Sequence, residues 1–404
     1  MQRRIFLDYA STTPLDKRVL KSMLPFMADH FGNPSAIYKQ GVEAKNVVKE
    51  SRTTIARLLN IRPEEIVFTA SGTEADNLAV LGVINAWKSD TKCLIDRHLV
   101  SDSPFVPHIV TTNIEHPGIL ELCKHLEKNN VEVTYVPVEE NGIVDPQKIK
   151  AAIKPNTVLV TVMLANNEIG TIQPIRDIAR IVQEYKKTRT DKLNIPYVHT
   201  DASQAANYED LSFQNLGVDM MTLDASKIYG PKGVGLLAIK RMVSIEPIIY
   251  GGGQERGLRS GTENVPGIVG FAKALEIAQE MREQESLRLR ELQNYFFDTV
   301  IKMSPLVSSN GDKEKRLPNN VNICIEGIDS EFAVIQLDTQ GISCSSASSC
   351  MNLSEEPYSY VIDALRENGK KCRGSSLRFT FGRATKKKEI DLTLAVIKSI
   401  LITQ

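Results

Sequence analysis

From about residue 60 to 240 the chain alternates short β-branched and apolar runs with longer stretches whose apolar positions recur at helical spacing. Strands are expected at Glu65 to Thr69, Ile109 to Thr112, Val131 to Pro137, Val158 to Met163, Ile195 to Val198 and Val218 to Leu223, and helices at 73–86, 116–129 and 174–187. Strands alternating with helices in this way build a mainly parallel sheet covered on both faces. From Val265 to about Met303, residues Ile268, Phe271, Leu275 and Ala278 mark one face of a long helix, read as broken once. Beyond it, strands near Asn320 to Ile325 and Ser376 to Thr380 and helices near 330–339 and 388–401 suit a smaller α+β unit. The expected organisation is α/β, with a large domain over 16–264 and a small domain formed by 1–15 together with 265–404. Two polar, aperiodic segments, Lys88 to Pro107 and Lys186 to Asn194, read as inserted surface loops.

Composition narrows the functional classes. With 404 residues, 42% of them hydrophobic, the chain can bury a large core. The 49 basic and 49 acidic residues balance, so no overall field favours nucleic acid or anionic lipid. Apolar runs are strand-length and no signal-peptide core follows the first residues, so a soluble, cytoplasmic protein without direct membrane or nucleic-acid binding is expected. The six cysteines form no CxxC pair; reduced thiols are expected rather than a disulfide framework, and no metal site.

The chemistry concentrates where strands end. Asp201 and Lys227 each follow an apolar strand, at the carboxyl edge where open α/β sheets bind ligands. A lysine there can form a Schiff base with pyridoxal 5′-phosphate while the aspartate keeps the pyridine nitrogen protonated. Gly72 and Thr73, in Ser71-Gly72-Thr73-Glu74, open a helix whose N–H groups and hydroxyl can hold a phosphate. Between Tyr250 and Thr262, five glycines and two arginines offer close backbone approach and anion contacts. His116 stands at a helix start where it could lie over a planar ring, and Asn166-Asn167 places amides at another strand end. Cys350 closes the serine-rich run Ser343 to Cys350 and reads as a nucleophile on a mobile loop, whereas Cys324 sits inside an apolar strand and reads as structural. Arg378 closes a strand-like run and could clamp an α-carboxylate.

Nearly end to end, the chain resembles the cysteine desulfurases, pyridoxal-phosphate enzymes of fold type I. The resemblance is carried by Leu7 to Pro14, Phe31 to Ser35, the Ser-Gly-Thr-Glu turn, Glu115-His116, Asn166 to Gly170, Asp201 to Gln204, Lys227 to Gly233, the glycine-rich stretch, Cys350 and Arg378. It implies that Lys227 is the Schiff-base lysine, that Asp201 pairs with the pyridine nitrogen, and that His116 stacks on the ring and shares the catalytic work. Gln204 and Asn167 would serve the ring hydroxyl side. Gly72, Thr73 and Ser226 would hold the phosphate, with Thr262 contributed by the second subunit of a homodimer. Arg378 and Asn167 would bind the substrate, L-cysteine. Cys350, on a long loop, would take its sulfur as a persulfide for an acceptor protein in iron–sulfur cluster assembly or tRNA thiolation. Two positions depart from the family pattern: Ser226 stands where His is common, and Asp224 where a small hydroxyl residue is common. A carboxylate aimed at a phosphate is repelled, so Asp224 is expected to face away or be neutralised by a neighbour. The chain ends at Gln404 without the longer tail of scaffold-binding members. Two other readings are a selenocysteine lyase or related C–S lyase on the same scaffold, and an inactive relative acting as an interaction partner.

Overall fold

The computed structural model describes residues 4–96, 106–190, 194–346, 359–365, 372 and 375–402. Its main sheet has seven strands in the order Ile66–Thr69, Gly235–Ile239, Met220–Asp224, Tyr197–Asp201, Thr157–Thr161, His108–Thr112 and Glu132–Val136. The last five run parallel, and Gly235–Ile239 pairs antiparallel with both of its neighbours. Adjacent residues of one strand feed opposite apolar layers: Ile109, Leu159 and Tyr197 pack on one face, Val110, Val160 and Val198 on the other. The two-residue pleat thus becomes two cores, which is why these strands are apolar throughout.

The second unit is a four-stranded antiparallel sheet ordered Ser345–Ser346, Ser376–Thr380, Asn320–Ile325 and Val307–Ser309. Helices Ser330–Thr339 and Lys387–Ile402 supply buried Ala333, Leu337, Ile390 and Ile397 to its core. The two units share helix Val265–Ile301. Asn264 caps it by accepting the Gly267 N–H, and a proline in the first turn suits the start. Ile268, Phe271 and Leu275 enter the large core, Leu289, Phe296 and Val300 the small one. Sequence spacing implied one break, but the 37 residues form a single helix. The N-terminal residues add a strap: Ile5–Phe6 pairs with Ile342–Ser343, and Asp8 bridges Thr380.

Three further expectations need correction. Helix Gly72–Asp96 continues well past residue 86 into the segment read as a loop. Polar composition hid it, since once nucleated a helix gains one hydrogen bond per added residue whatever its polarity. Lys186 lies in helix Ile175–Thr188 with its side chain turned inward, its Nζ 3.2 Å from Asp219 Oδ2. The cysteines are not all reduced: Cys324 is bonded to Cys372, with Cα atoms 5.5 Å apart. Nothing in local spacing marks this pair. It arises because Cys324 faces Ser376 across the sheet, four residues beyond Cys372.

Candidate cofactor and substrate site

A cavity of about 240 Å³ opens at the carboxyl ends of the central parallel strands. Its walls bring together Gly72, Thr73, His116, Asn167, Asp201, Gln204, Ser226, Lys227 and Arg378, nine of the residues singled out from the sequence. Thr262 lies on an exposed stretch and does not border this cavity. Cys350 lies outside the described residues.

Each wall has a local cause. Asp201 ends its strand, and its Oδ1 accepts the Ser203 N–H at 2.9 Å, fixing the carboxylate at the sheet edge. Lys227 follows the neighbouring strand in a short 3-10 turn capped by Asp224. Its Nζ donates to the carbonyls of Ala10 (3.1 Å) and Ser11 (2.6 Å), and Gln204 Nε2 also donates to Ala10. The N-terminal strap therefore roofs the cavity, held by Thr13, whose hydroxyl donates to the Ser226 carbonyl. His116 caps helix Pro117–Glu127, with Nδ1 accepting the Gly118 N–H at 3.0 Å. Burial holds this imidazole below its ordinary pKa against the pull of Asp201, so a neutral ring faces the cavity.

The small unit contributes Arg378. Its Nη2 meets Asp8 Oδ1 at 2.9 Å and its Nη1 donates to the Asn167 carbonyl at 3.0 Å, while Nε is buried without a partner. Asn167 Oδ1 is likewise buried and unpaired. Such atoms cost free energy unless something meets them, so they mark where a polar ligand belongs. Glu168, next in sequence, is buried; desolvation lifts its carboxyl to about 7 despite Ser359 and Arg378, and Oε2 accepts the Ser359 hydroxyl at 2.6 Å. Tyr360 donates to the Glu115 carbonyl, so the helix that follows the Cys350 segment is docked on the cavity wall.

Two carboxylates give the site features that the sequence reading missed or misplaced. Asp76, one turn into helix Gly72–Asp96, borders the cavity, and its Oδ1 is buried without a hydrogen-bond partner, 3.8 Å from His199 Nε2. Burial first, then Asp201, raises its pKa well above the usual carboxylate range. Its signal was a polar residue inside the apolar stripe Ala75, Leu78, Ala79. Asp224 does not face away. Its Oδ2 accepts the Gly72 N–H at 2.9 Å and its Oδ1 the Ser226 N–H at 2.8 Å. The two arginines of the glycine-rich stretch are engaged structurally: Arg259 pairs with Glu74 at 2.7 Å and Arg256 donates to the Ile66 carbonyl.

The cavity suits a flat, anionic aldehyde cofactor. An amine stands at Lys227, a carboxylate at Asp201, an imidazole to one side, and unpaired polar atoms at Asp76, Asn167 and Arg378. The helix N-terminus at Gly72 and Thr73 lies at the other end, partly occupied by Asp224. A lysine and an aspartate on adjacent strand ends of such a sheet define a class of cofactor-dependent α/β enzyme. The family model for class-V aminotransferases matches residues 5–393. Cysteine desulfurase IscS of Dictyoglomus turgidum is 40% identical over 401 residues, covering 99% of this chain and 95% of that protein. Cysteine desulfurase IscS 1 of Archaeoglobus fulgidus is 39% identical, covering 98% and 96%. Among solved structures, a NifS-like protein superposes with a TM-score of 0.87 at 33% identity, covering 99% of this chain and 100% of its own. A structure described as SspA in complex with cysteine gives 0.76 at 32% identity, covering 93% and 98%. The chain belongs to the aminotransferase class-V family, among its cysteine desulfurases.

Proposed function

We propose that the chain is a homodimeric, pyridoxal-phosphate-dependent desulfurase that converts L-cysteine to L-alanine and passes the sulfur, through a persulfide on Cys350, to an acceptor protein. The observation that carries this reading is the convergence of Lys227, Asp201 and Arg378 on one cavity. Bound pyridoxal phosphate would supply an electron sink for charge developing at the substrate α-carbon. Asp201 would hold a proton at the pyridine nitrogen, His116 would cover the ring, and Gln204 and Asn167 would serve its hydroxyl side. Gly72, Thr73 and Ser226 would hold the phosphate, joined by Thr262 of the second copy. Arg378, oriented by Asp8 and the Asn167 carbonyl, offers its unpaired Nε to the substrate carboxylate. Lys227 anchors the cofactor and then moves the α-proton. Cys350 as thiolate attacks the substrate sulfur: an S–S bond forms, the C–S bond breaks, and its electron pair with a proton stays on the carbon that becomes the alanine methyl.

A second copy is supported by an exposed apolar face. Leu20, Leu24 and Met27 share one side of helix Lys17–Met27, and Phe31, Ile37 and Tyr38 follow, with Ile37 95% exposed. Iron–sulfur assembly and tRNA thiolation are both open to the acceptor. Among the described residues, no helix is long and apolar enough to cross a membrane.

The test is an absorbance spectrum of the purified protein, then alanine and persulfide counted after adding L-cysteine. Lys227→Ala should lose the visible band and alanine formation by at least about 10³-fold. Cys350→Ser should keep the band and lose the persulfide. Sulfide release unchanged in Cys350→Ser would refute the transfer step and favour a simple C–S or selenocysteine lyase.

A further inference from the structure

Asp224 places a carboxylate at the end of the cavity where the phosphate belongs. Its Oδ2 takes the Gly72 N–H, the first donor of helix Gly72–Asp96, and its Oδ1 takes the Ser226 N–H. The fit is close: a Cβ on Gly72 would come within 3.4 Å of Asp224 Oδ2 and 3.2 Å of Ser203 Oγ. An anion seated on this turn therefore meets a negative oxygen already there. We propose that phosphate binding in this chain takes up one proton, so that the site holds the phosphate as a monoanion hydrogen-bonded to Asp224. This rests on the cofactor reading above and adds to it the charge state that the site selects.

Among the described residues of one copy, the surroundings leave few other means of neutralisation. From helix Gly72–Asp96 the cavity receives Asp76, another acid and no cation, whose pKa burial and Asp201 raise. From the strand beside Asp224 it receives Asp201, from the start of helix Pro117–Glu127 the His116 imidazole, and from the turn after Asp224 it receives Lys227. Strand Gly235–Ile239, on the other side, presents Gly235 opposite Asp224 and no charge. Arg378, the other cation bordering the cavity among the described residues, pairs with Asp8, and Arg259 pairs with Glu74. Phosphate esters lose their second proton near pH 6, so above that pH the dianion and the Asp224 carboxylate repel each other unless a proton bridges them. The proton comes from water and lies between a phosphate oxygen and Asp224, with no other bond made or broken.

The test uses the full chain and two probes. Pyridoxine 5′-phosphate lacks the aldehyde, so its affinity reports the phosphate end without the titration of the Lys227 linkage. The ³¹P resonance of bound pyridoxal phosphate reports the phosphate charge. In the wild type, the dissociation constant for pyridoxine 5′-phosphate should rise up to about tenfold per pH unit from pH 6.5 to 8.5. The bound ³¹P shift at pH 8 should be that of a monoanion. Asp224→Ser should bind at least about tenfold more tightly at pH 8, with a flat pH profile and a dianion shift. Asp224→Asn, which keeps an acceptor for one of the two N–H groups, should do the same if the serine variant folds poorly. A dianion in the wild type with a pH profile matching both variants would overturn the proposal while leaving the cofactor reading intact. Tight wild-type binding that requires added magnesium would also overturn it. Failure of every form to bind pyridoxal phosphate at any pH would overturn the cofactor reading and this inference with it.

Discussion

Gly235→Ala should damage both stability and cofactor binding although residue 235 carries no chemistry. Gly235 opens strand Gly235–Ile239, between Thr69 and Asp224, directly beneath the turn that starts helix Gly72–Asp96. An added Cβ would lie 2.5 Å from the Ser71 carbonyl carbon, 2.6 Å from its oxygen and 2.9 Å from the Gly72 nitrogen. Carbon atoms in contact sit about 3.5–4.0 Å apart, so main chain must withdraw by about 1 Å. That main chain is tied down: the Ser71 carbonyl accepts the Thr69 hydroxyl and the Ala75 N–H, and Gly72 donates to Asp224. Overpacking of this kind costs about 1–3 kcal/mol. Losing the charge-assisted Gly72–Asp224 bond would add about 1.5–3 kcal/mol. A displaced turn should also weaken pyridoxal phosphate by about 10- to 100-fold, since each 1.4 kcal/mol is tenfold. Denaturant unfolding with and without cofactor, and a fluorescence titration of the cofactor, measure both effects. Gly233→Ala is the control, because its Cβ meets nothing within 4 Å and only its φ of +80° opposes a side chain. It should cost about 1–2 kcal/mol and leave cofactor affinity unchanged. A Gly235→Ala protein with wild-type midpoint and wild-type affinity would show that the turn does not rest on this strand.

Two further outcomes test buried groups away from the reacting atoms. Glu115 is buried, and desolvation lifts its carboxyl from 4.5 to about 8, although Thr112 and the Met163 N–H donate to it. Between about pH 4.5 and 8 the folded chain keeps a proton that the unfolded chain releases, so stability falls as pH rises, by up to about 1.4 kcal/mol per unit. Glu115→Gln should flatten that fall in denaturant midpoints measured from pH 5 to 8; parallel profiles for the two proteins would contradict the assignment. Cys372→Ser opens a link between residues 48 apart, and chain-entropy arguments put the loss at about 4 kcal/mol. Equal midpoints for wild type and Cys372→Ser under non-reducing conditions would mean that the pair is not bonded in solution.

Much of the fold and of the site is legible in the sequence alone. Strand and helix periodicity located Asn320–Ile325, Ser376–Thr380 and Ser330–Thr339 at their ends, because pattern and capping are local properties. The strand-end motifs around Thr73, His116, Asn167, Asp201 and Lys227 could be read for the same reason: a strand that stops at a sheet edge leaves its next residues at the ligand crevice. What the sequence could not order was the meeting of distant segments. Asp8 on Arg378, Cys324 on Cys372, Lys186 on Asp219 and the strap over Lys227 all depend on strand register and on which helix covers which face. Asp224 marks the boundary most sharply. Its identity and its nearness to Lys227 were in the sequence, but whether its carboxylate turned outward or onto the Gly72 N–H was decided by the packing of strand against helix. A side chain's direction there is set by which backbone donors come within hydrogen-bond reach: the Ser226 N–H is local, but the Gly72 N–H that fixes the other oxygen lies 152 residues away in the chain.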